Sequence, residues 1–106
     1  MKAQSWQKLL TDKGWLQGDQ LVVPDGCNLS FIFHTGTIYN TINHDQVVEI
    51  TDMWITASIP KIRFIEKTPC LCYHLWEDLC EIHLTPKDPK EANLLLRPAD
   101  KTSAGP

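Results

Sequence analysis

The chain has 106 residues, 42% of them hydrophobic and 22% charged, with a net charge of −3 and four cysteines. This length suits one domain with one core, and the apolar content excludes wholesale disorder. The acidic balance argues against a dedicated nucleic-acid binder, because its densest basic group (Lys61, Arg63 and Lys67) is partly offset by Glu66.

Residues 5–13, SWQKLLTDK, read as a short amphipathic helix. Ser5 can cap it, and Trp6, Leu9 and Leu10 share a face at i, i+3 and i+4. Gly14 then supplies a helix-ending residue. Such a helix is too short to stand alone and should dock on something larger. The N-terminal MKAQSWQKLL lacks the apolar stretch of a signal peptide, and no run approaches the ~18 apolar residues of a membrane span. A cytoplasmic location is the expectation, with cysteines as free thiols or metal ligands.

QLVV, from Gln20, reads as a strand between the turn signals QGD and PDG. The segment GDQLVVPDG resembles part of the second motif of the cupin family, with Gly18, Pro24 and Gly26 in matching places. PDGC followed by an apolar strand is also similar to the cupin-like effector domain of AraC-type regulators. The resemblance implies a β-barrel. The family's metal-binding histidine would fall on Leu29, which cannot ligate, so the resemblance does not extend to a cupin metal centre.

In CNLSFIF, Leu29, Phe31 and Phe33 alternate with polar residues, and TIYNTI can return as a hairpin partner. A two-residue turn at Thr35-Gly36 would set Phe33 opposite Ile38 and Leu29 opposite Ile42. QVVEIT and MWITAS are two strands or one bent one, and KIRFIEK reads as a half-exposed strand before a turn at Lys67-Thr68-Pro69.

The densest chemistry lies in PCLCYHLWEDLCEIHLTP, residues 69–86. Folded as a hairpin about Glu77-Asp78, it puts Leu71, Tyr73, Leu75, Cys80, Ile82 and Leu84 on one apolar face. Cys70, Cys72, His74, Glu81 and His83 fall on the other. Cys72, His74 and His83 are then candidate ligands for zinc or copper, since thiolate and imidazole suit both. Against this, Cys70 and Cys72 on a strand would hold their sulfurs roughly 7 Å apart, loose for one ion. The alternative is half-buried free thiols and no cofactor. Cys72 and His83 with Glu81 also form a possible nucleophile–base pair, although a strand lacks the helix N-terminus that activates a thiol.

Trp6 and Trp54 are expected in the core, whereas Trp15 and Trp76 are harder to bury and, with Glu81, are candidates for a ligand or partner surface. The expectation is one mainly β domain over residues 1–86, a small antiparallel barrel or sandwich with a short N-terminal helix. Residues 87–106 form a C-terminal extension, disordered in part. The expected function is a non-enzymatic binding module for a protein partner or a second copy, possible as a dimer. The alternative is a cupin-like barrel that binds a small ligand or a metal.

Overall fold

The computed structural model describes residues 2–63 and 66–91. The chain opens with helix α1 (Lys2–Asp12), which starts before Ser5, so that residue lies within the helix and does not cap it. Gly14 follows with φ 80°. A small ribbon of β1 (Leu16–Gln17) and β2 (Gln20–Leu21) comes next.

Strand β3 (Cys27–Thr35) is the longest, and its burial alternates as expected, with Leu29, Phe31 and Phe33 fully buried. It pairs with β4 (Ile38–Asn43), but two residues away from the expected register: Thr35 faces Ile38, Phe33 faces Asn40 and Phe31 faces Ile42. The loop is therefore Gly36-Thr37, with Gly36 at φ 62°. Its first position needs a left-handed residue, which glycine adopts freely and a β-branched threonine does not. A shift of two preserves side-chain parity, so Ile42 stays buried while Ile38 slides to the hairpin end and is exposed.

A single 3-10 turn, His44–Gln46, carries the chain to β5 (Val47–Ile50), and β6 (Trp54–Ser58) pairs with it. The two-strand reading of this region thus holds. Thr51 organises the turn: its Oγ1 accepts from the backbone N–H groups of Met53 (3.1 Å) and Trp54 (3.0 Å). KIRFIEK is not one strand. β7 (Lys61–Arg63) pairs antiparallel with β8 (Glu66–Thr68), so Lys67 and Thr68 are in a strand, while Phe64 and Ile65 lie outside the described residues.

The largest departure is in residues 69–86. β9 (Leu71–Leu75) pairs with β6, a 3-10 turn follows at Trp76–Asp78, and β10 (Leu79–Pro86) pairs with β3. The expected β9–β10 hairpin does not form. Trp76 explains why. Its backbone N–H donates to Met53 O (3.0 Å) and its indole N–H to Thr51 O (2.8 Å), and the residue is fully buried. Anchored there, the turn passes the chain from one sheet to the other.

The result is two three-stranded antiparallel sheets, β10-β3-β4 and β5-β6-β9. They supply the shared core, with Leu29, Phe31, Phe33 and Ile42 from one and Ile55 and Ala57 from the other. This is a sandwich and not a closed barrel. Helix α1 is tied to this core: Leu10 is fully buried, the Trp6 indole donates to Leu79 O (3.0 Å) and Gln7 Nε2 to Asp52 O (2.8 Å). Leu9, placed on the same face by its spacing, is 39% exposed. Pro89–Glu91 form one more 3-10 turn, and residues 92–106 of the C-terminal extension lie outside the described residues. Among the described residues, no helix is long and apolar enough to cross a membrane.

Candidate functional site

Strand β9 reads Leu71-Cys72-Tyr73-His74-Leu75, and its two faces are the reverse of the expected ones. Cys72 lies opposite Ala57 and His74 opposite Ile55, both fully buried, so the even-numbered side chains turn inward. Leu71, Tyr73 and Leu75 turn outward and are 55%, 62% and 47% exposed. The choice is one of fit. Phe31 and Phe33 already fill the space between the sheets, and a small Cys72 beside Ala57 complements them where a tyrosine would overfill. The His74 ring stacks on Phe33 at 4.7 Å between centroids. Trp76 continues the inward parity of Cys72 and His74.

The outer face is a built surface. On β6, Trp54 and Thr56 point outward, and Glu49 of β5 holds both through one oxygen: Oε1 accepts from Thr56 Oγ1 (2.9 Å) and Trp54 Nε1 (3.2 Å). Trp54 therefore belongs to the outer face and not to the core where it was expected. Thr56 faces Tyr73 across the ladder and is only 2% exposed despite its outward position. Beyond Leu75 the patch continues into a depression lined by Ala3, Met53 and Leu75 together with Asp52 and Glu77, with Met53 itself exposed.

The candidate metal ligands are not brought together. Cys72 and His74 face the core from β9, whereas His83 sits on the outer face of β10, opposite Ser30. His83 Nε2 instead meets Glu81 Oε1 at 2.6 Å, with both side chains exposed. Among the described residues, no group of three or more His, Cys, Asp or Glu side chains is placed to hold a metal ion. The same separation removes the Cys72–His83 nucleophile–base pair. Burial pushes the Cys72 thiol above its ordinary pKa; the Cys70 hydrogen bond and charge act in the same direction, against a smaller effect of Lys61. Cys80, expected in the core, is half-buried at a bulge of β10, its Sγ 3.3 Å from Ile32 O.

Of the surface candidates, Trp76 is buried completely, and Trp15 is half-buried against the core, its backbone tied to Leu10 O (2.9 Å) and to Val22 N (2.8 Å). Only Glu81 is exposed as expected. The residues that form the apolar surface, Leu71, Tyr73 and Leu75, are the ones that alternation in the sequence places inward. The signal that identifies them is parity counted back from Trp76, the largest side chain of the segment.

His74 makes stability depend on pH. Burial lowers its pKa below the ordinary histidine value; Asp78 opposes this and Lys61 adds to it. The unfolded chain therefore binds a proton at His74 at a pH where the folded chain does not, so stability falls as pH drops below the ordinary value. Urea midpoints measured down through that range should decline for the wild type, and less steeply for His74→Phe. Equal slopes would show that His74 is not the group responsible.

No known protein family, curated protein or solved structure matches the chain.

Proposed function

We propose that the protein is a non-enzymatic binding module that self-associates through the edge strand β9. The observation that carries this reading is a run of three outward apolar side chains on a strand with, among the described residues, one ladder neighbour, β6. Exposed edges invite pairing with another chain, and proteins commonly blunt them with charges, bulges or proline. Of the sandwich's three other edges, two follow that rule; β4, like β9, lacks charge, bulge and proline, but its outward positions, Tyr39, Thr41 and Asn43, are not an apolar run. β5 carries a bulge and Glu49, and β10 carries a bulge, Glu81 and a terminal proline. β9 has no charged residue, no bulge and no proline.

The sequence of β9 also favours a second copy as the partner. Leu-Cys-Tyr-His-Leu is symmetric in its outward residues about Tyr73. A two-fold axis through Tyr73 would pair two β9 strands antiparallel, with Leu71 opposite the partner subunit's Leu75 and the two tyrosines facing each other. Each such pair contributes roughly 0.2–1 kcal/mol beyond the backbone hydrogen bonds. The two sheets would then join into one of six strands.

Sedimentation equilibrium tests this. The wild type should be dimeric, and Tyr73→Lys, which sets two like charges face to face at the axis, should weaken the dimer about tenfold or more. Near-UV circular dichroism should be unchanged apart from the lost tyrosine, since this side chain is exposed. A wild type that stays monomeric at high concentration would sink the proposal.

A further inference from the structure

We infer that Cys70 and Cys72 form a two-thiol site for a soft monovalent metal ion, copper(I) in chemical class. Both are free thiols, each half-buried. Cys70 lies just before β9, in a connection pinned by the Ile59 N–H donating to Cys70 O at 2.9 Å. Being outside the regular strand, it is not held to the side-chain spacing of a ladder, and the two sulfurs stand 3.9 Å apart. A regular strand would separate them by about 7 Å.

That separation is a chelating distance. With metal–thiolate bonds of about 2.3 Å, sulfurs 3.9 Å apart subtend about 115° at a bridging ion. The angle suits a trigonal or bent low-coordinate centre. Among the described residues no further Cys, His, Asp or Glu completes a cluster with the pair. Zinc, which takes four ligands in structural sites, is poorly served by two. Copper(I) is soft, prefers thiolate, and can complete its shell with a small thiol from solution. On binding, two S–H bonds are lost, two protons leave, and two metal–sulfur bonds form with no change of oxidation state. The site then carries one net negative charge. Lys61, whose charge acts on Cys72, supplies a cation against it.

The site does not depend on the self-association reading, since Cys72 points away from the apolar outer face of β9, although that pairing would set Cys72 opposite the partner subunit's His74. It differs also from the Cys72, His74 and His83 set, which the fold disperses.

The test is an anaerobic titration of the reduced protein with copper(I) against a chromogenic copper(I) chelator. One equivalent per chain should be withheld from the chelator. Cys70→Ser and Cys72→Ala should each weaken retention about a hundredfold or more, the loss expected when a chelate becomes a single contact. Cys27→Ser and Cys80→Ser should retain copper as the wild type does. Near-UV circular dichroism establishes that each variant is folded, and Cys70→Ser, outside the strand, serves if Cys72→Ala does not fold. Copper held equally by folded Cys70→Ser, or a wild type that withholds none, overturns the inference. Retention of one equivalent of zinc through the same two cysteines overturns its low-coordination part.

Discussion

Replacing Trp76 by alanine should cost about 3–5 kcal/mol of stability, the range for a buried large aromatic. Against a typical total of about 5–15 kcal/mol this can leave the domain marginal at room temperature. Two effects combine. The side chain is fully buried in the cluster shared by both sheets and α1, so its removal leaves a cavity that the surrounding elements can only partly close. Its indole N–H also satisfies Thr51 O, in the turn that joins β5 to β6. Trp76→Phe separates the two, since it retains most of the volume and leaves that carbonyl without the indole donor, at a cost of about 1–3 kcal/mol. Urea denaturation checks the series, with Trp54→Ala as the contrast. Trp54 sits on the outer face and should cost far less than Trp76. Equal losses at the two positions would contradict the assignment of Trp76 as the hinge between the sheets.

Leu10→Ala should cost about 2–5 kcal/mol, and the loss should be read in the helix first. α1 has 11 residues, too few for a stable isolated helix, so its order depends on docking. Leu10 is its one fully buried side chain. The polar ties made by Trp6 and Gln7 are at the rim and cannot replace that burial. A fall in helical circular dichroism ahead of the global transition would show α1 loosening from the sandwich. Because Leu10 and Trp76 share one buried cluster, the double variant should depart from additivity. Full additivity would mean that the helix and the Trp76 turn are independent, against the structure.

Much of the fold was legible because alternation is a strong local signal. β3 shows it best: Leu29, Phe31 and Phe33 could be assigned inward from the sequence alone. For the β3–β4 hairpin the sequence yields the correct parity but a register two residues off, because Thr35-Gly36 and Gly36-Thr37 are both acceptable turn pairs. Residues 69–86 depart from the expected hairpin for a different reason. Both strands and their alternation are real, but two strands joined by a short turn need not pair with each other. A three-residue 3-10 turn sends them to different sheets instead. Alternation within each strand carries no information about their relation, and the common face expected for Cys72, His74 and His83 does not exist.

The candidate surface is hidden in the sequence for a related reason. Leu71, Tyr73 and Leu75 are apolar, and an apolar face is assigned inward by default. Which face turns inward depends on what the opposite sheet offers, and there Phe31 and Phe33 leave room for Cys72 and His74.

The sequence by itself determined the class of structure, mainly β with a short docked helix, together with most of the strand positions and the buried face of β3. These follow from local periodicity and turn chemistry, which act over a few residues. Only the tertiary structure decided which strands pair, that the sheets form a sandwich, that Trp76 is buried, and that Cys70 meets Cys72. Those outcomes depend on long-range packing, in which one anchored tryptophan settles where the chain crosses and which face of β9 remains outside.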